Sequence, residues 1–423
     1  MSVSVGDYVT AGGLLTADIS GGTVYAGSLA TSALSGGVIH VTGVANVTTM
    51  TAGDITAGSL ISATVSAGTI HATGDVTIAT LSVASVIAGG TVTVTTMTSG
   101  SIDAGTLYAT TVTGGTIHTT GDANMVVDGA AFFTTIASGT LTVNGPVTIT
   151  TISSGSFTLN GNVVLTTFSA GSLTLNGLST SITTLSGGTI DLGSTNLTLS
   201  SGTFAGTFTG GTGTITKDGA GTLTFAQPNA FGGSLLITGG ILAATVSGAL
   251  SGVTAITVQG ANLLAVDYNP AASLTLDATA TAIISGSNLT LGAVINENSS
   301  TAEALDFTGL AGTITLLSLA GPGISSFDSQ AAILGGITSG TVIVTGLLTA
   351  NITGGTVTAA ALTGNITGGD VAVTGLLEGN VSAGAGTIAA GSMTGDVGSS
   401  VSVTGLLTGN ISGGTNSLGA LSA

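Results

Sequence analysis

Three histidines sit in one recurring phrase. GGVIHVTG, AGTIHATG and GGTIHTTG place His40, His71 and His118 at separations of 31 and 47 residues. Imidazole is the commonest protein metal ligand, and a shared ion needs each nitrogen within about 2.1 Å. The separations are two and three multiples of about 15.5 residues, which in a stacked repeat sets the rings roughly 10 and 14 Å apart. Alternation in TIHTTG sends Ile117 inward and His118 outward. The histidines therefore read as exposed rung residues. Asp103 lies one repeat from His118, where a surface ion pair would contribute a few tenths of a kcal/mol.

The other chemistry-bearing groups are sparse. Glu297, Glu303 and Asp306 gather in INENSSTAEALDF, the most polar stretch. Glycoside hydrolysis needs two facing carboxylates, and this stretch reads as a loop. The calcium-binding nonapeptide GGxGxDxUx and the EF-hand pattern are absent. Lys217 is the only Lys or Arg; polysaccharide lyases call on basic side chains, and Lys217 reads as a turn residue. GGTGTITKDG lacks the strand–turn–helix context of a phosphate loop. The expectation is no enzyme, no catalytic residues, no cofactor and no metal.

Composition narrows the partners. The 423 residues include 71 glycines and only 4% charged residues, with a formal charge of −17. Phosphate backbones are bound by several Lys or Arg, so nucleic acid is excluded as a partner, as is an anionic membrane surface. No apolar run reaches the 18 residues of a membrane-spanning helix, and no membrane span is expected. Hydrophobic residues make up 43% and mean hydropathy is +0.71, the opposite of a disordered chain. With no cysteine, disulfides and thiolate metal sites do not arise. MSVSVGDYVTAGG lacks a basic n-region and an apolar core, so no signal peptide is visible.

What positions these residues is a repeat. SGTLTVNGPVTITTIS, SGSFTLNGNVVLTTFS, AGSLTLNGLSTSITTLS and GGTIDLGSTNLTLS follow one another, with Gly139, Gly155, Gly171 and Gly187 stepping by 16. Within each unit Leu, Val and Ile alternate with Thr or Ser, the strand period. The fold class predicted is all-β: a parallel β-helix, or β-solenoid, with coils of about 14–17 residues stacked through ladders about 4.8 Å apart. Some 25 coils would make a rod on the order of 120 Å long. The inward core rungs are Ile39, Ile55, Ile70, Ile102 and Ile117. A transmembrane barrel also alternates but needs aromatic girdles, and this chain has no Trp and four Tyr.

Between Ile215 and Thr245 the texture changes. DGAGTLTF (Asp218 to Phe225), NAFGG (Asn229 to Gly233) and ITGGIL (Ile237 to Leu242) together resemble the autotransporter-associated β-strand repeat of exported bacterial passenger domains. Phe231 stands where that repeat usually has Tyr, and Ile241 where it usually has Thr. The resemblance covers about 30 residues; GLAGTITLLSLAGPGISSF (Gly309 to Phe327) reads as a degenerate second copy. It implies a right-handed β-helix, an extracellular or cell-surface location and no catalytic residues. No outer-membrane barrel pattern follows Gly336, so the resemblance implies a passenger segment or another export route. Three sections are expected: short-coil repeats over 1–205, a wider or looped solenoid over 206–335, and short coils again over 336–423.

Near the C-terminus Asn351, Asn365, Asn380, Asp396 and Asn410 form a column. Each precedes a corner, and stacked amides would form a structural ladder. Rows of Thr-x-Thr put hydroxyls on one face, the default outward residue of such strands and also a pattern suited to ice or crystal surfaces. GLLTADISGGT (Gly13 to Thr23) and GLLTGNISGGT (Gly405 to Thr415) are nearly the same coil without a polar cap. The expected function is structural: head-to-tail stacking with the chain itself as partner, giving filaments. The alternative is an adhesin segment that takes surface carbohydrate as its partner, through Thr-rich faces or the middle loops.

Overall fold

The computed structural model describes residues 2–3, 8–112, 116–119, 124–127, 131–136, 140–266, 272–286, 289–298, 304–307, 312–328, 330–382 and 384–422. It is all-β, with no helix among the described residues, and forms a parallel β-solenoid of about 23 turns. The chain divides into two compact units, Met1–Leu197 and Thr198–Ala423.

In the first unit a five-position code generates each coil. Leu141, Val143, Val147, Ile149 and Ile152 are buried, and the next coil repeats them as Phe157, Leu159, Val163, Leu165 and Phe168. The register is residue-for-residue: Leu141 pairs with Phe157 and Ile149 with Leu165. Earlier coils use the same code, as Ile39, Val41, Ala45, Val47 and Met50. Two inward positions come from a strand such as Thr140–Val143, and three from a strand such as Val147–Ile152. Strands alternate their side chains, but between Ile149 and Ile152 the inward step is three residues, so the chain bends there. Hydrogen bonding continues round such bends: Val76–Met97 is a single strand of 22 residues. Ile39, Ile55, Ile70, Ile102 and Ile117 all occupy the first inward position and are at most 3% exposed.

One sequence expectation shifts. Ser156 pairs with Ser172, but Ser172 pairs with Thr189. The glycine in register with Gly155 and Gly171 is thus Gly188, not Gly187; all three have positive φ. The coil holds one extra residue, accommodated near Leu178, which is 83% exposed. A bulge on the outside leaves the core columns in line, which is why the insertion is tolerated.

In the second unit the first coils are larger. Thr214 pairs with Ser234, Ser234 with Ala255 and Ala255 with Ser273, steps of 20, 21 and 18 residues rather than 16. Aromatic bulk fills the wider section: Phe204, Phe208, Phe225 and Phe231 are fully buried, and Phe208 lies edge-on to Phe225 and Phe231 at 5.4 and 6.2 Å. Phe307 and Phe327 stack one coil apart, at 4.9 Å. Farther on, the coils contract. Val371, Val373, Leu377 and Val381 remain as inward residues, and glycine precedes Asn365, Asn380, Asp396 and Asn410 of the column, with Ala350 before Asn351.

Those glycines carry a clear steric constraint. Gly379 has φ 148°, and a Cβ there would collide with the carbonyl oxygen of Gly364 one coil below. Gly12 is the contrast, because a Cβ there has nothing within 4 Å. Gly379→Ala is expected to destabilise the protein by about 1–3 kcal/mol, the usual penalty for such strain. Gly12→Ala should leave stability within about 0.5 kcal/mol of the parent. Thermal and urea melts of the two variants check this.

Candidate functional site

The Asn column is a ladder, but not one of paired amides. The backbone N–H of Asn365 donates to Oδ1 of Asn351 at 3.0 Å, and that of Asn380 to Oδ1 of Asn365 at 2.9 Å. Asp396 N–H donates to Asn380 Oδ1 at 2.8 Å, and Asn410 N–H to Asp396 Oδ1 at 3.0 Å. Each side chain satisfies a backbone donor on the next coil. An acceptor oxygen is all that the position requires, which explains how Asp396 stands among asparagines. Stacked amides do occur, in a column that sequence reasoning missed. Asn160 Nδ2 donates to Asn144 Oδ1 at 2.7 Å, and Asn176 Nδ2 to Asn160 Oδ1 at 2.9 Å. The signal was present in the recurring Leu/Val-Asn-Gly at a constant interval of 16 residues.

The histidines share one column of the backbone register. Register carries Tyr25 to His40 and His40 to Thr56, and farther along His71 to Ile87, Ile87 to Asp103 and Asp103 to His118. Asp103 and His118 are therefore one coil apart in backbone register. His71 is exposed and His40 half-buried; the His118 side chain lies outside the described residues. Among the described residues no group of three or more His, Asp or Glu could hold a metal ion. What sequence reasoning did not find is the ring contact: His40 stacks on Tyr25 at 4.8 Å and 19°, and Tyr25 meets Tyr8 at 5.4 Å. The interval from Tyr25 to His40 is one coil, so the contact was legible once the coil length was known.

Carboxylates serve the backbone. Asp18 accepts from the N–H of Ser32 and Ala33 at 3.0 Å each, Asp75 from Thr91 at 2.8 Å, and Asp370 from Thr387 at 2.6 Å. Of the acidic trio, Glu297 is exposed, Asp306 is half-buried and Glu303 lies outside the described residues. Two buried asparagines accompany Glu297. Asn296 Nδ2 donates to the Ile324 carbonyl at 3.0 Å, and Asn298 Nδ2 to the Ala280 carbonyl at 2.7 Å. They tie this polar stretch to the coils on either side.

Lys217 serves turns, and does so from an inward strand position. The strand Thr214–Lys217 alternates, and Lys217 takes an inward place with no solvent exposure. Its ammonium donates to the carbonyl of Gly239 at 2.8 Å and to that of Gly219. It thereby closes two glycine turns from inside. Burial pushes its pKa below the ordinary lysine range, and the neighbouring Asp218 partly offsets that. Asn229, in the NAFGG phrase, has a matching role: Oδ1 accepts from Phe208 N–H at 2.8 Å, and Nδ2 donates to the Gln227 and Ala249 carbonyls.

These partners determine what substitution should do. Asn380→Asp keeps the acceptor and should leave stability unchanged, whereas Asn380→Ala should cost about 1 kcal/mol. Asn160→Asp removes an amide donor and should destabilise in urea melts by a similar amount. For Lys217 the folded pKa is lowered, so the unfolded chain binds more protons between the folded and the ordinary value. Stability should therefore rise with pH through that window and level off above it. Lys217→Met should abolish that rise, read as melting temperature against pH in paired samples.

No family model, curated protein or solved structure matches this chain.

Proposed function

We propose that this chain is a non-enzymatic structural protein whose solenoid is extended by a second copy of itself. The observation that carries this is the parallel ladder itself, in which each coil buries its core residues only against its neighbours: Leu141 pairs with Phe157, and Phe157 with Leu173. An unpaired strand also presents a row of free N–H and C=O groups, which templates pairing with another chain. The strands Tyr8–Thr16 and Ser417–Ser422 contain no charged residue, so nothing of like charge on them opposes the contact. A head-to-tail contact that does not close on itself propagates as a filament.

Side-chain chemistry supports the non-enzymatic part. Asp18, Asp75, Asp370 and Asp396 are engaged with backbone N–H groups, and Lys217 is enclosed. The resemblance of Asp218–Phe225 and Asn229–Gly233 to the autotransporter-associated repeat favours a place at the cell surface or outside the cell.

Negative-stain electron microscopy across a concentration series tests the proposal. Long unbranched filaments are expected. Leu421→Asp, which places a charge on the column that buried Leu407 belongs to, should reduce them to single particles while circular dichroism stays that of the parent. Discrete particles of the parent chain at every concentration would overturn the reading.

A further inference from the structure

Phe133, Phe157, Phe168, Phe307 and Phe327 are buried like the four phenylalanines of the wide coils, whereas three tyrosines are exposed: Tyr8 at 65%, Tyr25 at 39% and Tyr108 at 48%. Tyr8 and Tyr25 form a continuous stack with His40. Exposed rings in so aromatic-poor a chain are conspicuous, and two of the three stand together on successive coils.

The surface beside them is hollow. Gly27 lacks a side chain because a Cβ there would lie 2.8 Å from the carbonyl oxygen of Gly12. The side-chain-free corner leaves a notch of about 410 Å³, walled by Tyr25 and His40, with Thr10, Thr42 and Thr56 at its margin. Thr10 and Thr56 belong to the same outward column as Tyr25 and His40. The notch thus combines the edges of two stacked rings, an Ala and Gly floor and a hydroxyl rim.

We infer that this stack and notch bind a neutral oligosaccharide. Tyrosine offers a rigid ring at small entropic cost, with a polar tip. A pyranose ring presents C–H groups that pack on the floor and ring edges, and hydroxyls that meet the Thr rim and the tyrosine tip. No charged residue lines the notch, and the only Lys of the chain is buried, so an anionic ligand finds no counter-charge. The Tyr8, Tyr25 and His40 rings follow one another at 5.4 and 4.8 Å, a spacing that suits a ligand that is itself a short chain of similar units. The inference does not depend on filament formation.

The test is isothermal titration of the full chain with cello-, malto-, xylo- and chito-oligosaccharides. At least one series is expected to bind. Tyr25→Ala should weaken that binding at least about tenfold, roughly 1.4 kcal/mol, with Tyr25→Phe and Tyr108→Ala close to the parent. Should Tyr25→Ala disturb the coil by circular dichroism, Tyr8→Ala, at the more exposed ring, takes its place with the same expected loss. Failure of every series to bind overturns the inference. So does binding that Tyr25→Ala and Tyr8→Ala leave intact, or tighter binding of free indole than of any oligosaccharide.

Discussion

Each coil of this protein is held by the one before it, through a parallel backbone ladder whose spacing of about 4.8 Å every residue must respect. A single coil has no second layer to close its core. Leu141 is shielded because Phe157 lies over it in register. The same spacing brings carbonyl oxygens close to the α-carbons of the next coil, so positions such as Gly379 exclude a side chain. Glycine abundance here follows from close backbone approach more than from chain flexibility.

The ladder also determines what polar side chains do. At corners the strand hydrogen bonds lapse, and buried or half-buried donors left behind are costly. Asn365, Asn380, Asp396 and Asp370 each supply an oxygen to an N–H on the following coil. Thr353 and Thr367 hydroxyls donate to the Ile337 and Ile352 carbonyls of the preceding coil. Thr and Asn therefore recur at corners for a structural reason. Lys217 and Asn229 extend the practice to the wider coils, where larger turns leave more carbonyls to satisfy from inside.

Much of this was legible in the chain as written. Period-two alternation, the near-constant interval and the first-position isoleucines Ile39, Ile55, Ile70, Ile102 and Ile117 all follow from local pattern, because one coil is nearly a copy of the next. The Asn column was visible, whereas the direction of its hydrogen bonds was not. An amide carries both donor and acceptor, and only geometry decides which is used. The slip from Gly187 to Gly188 has a similar origin: an exposed insertion at Leu178 leaves the composition of the repeat intact while moving its register by one.

By itself, then, the sequence determined the fold class, the inward and outward faces, and the scarcity of charge. Those properties belong to neighbours in sequence or to composition, and need no knowledge of what lies on the next coil. Tertiary structure alone decided that the Lys217 ammonium reaches the Gly219 and Gly239 carbonyls, and that Tyr8, Tyr25 and His40 meet as a stack beside a hollow. Each of these depends on which residues one coil length apart come to lie on one another. That register is set by packing of whole coils, and one bulge or one widened turn resets it for everything that follows.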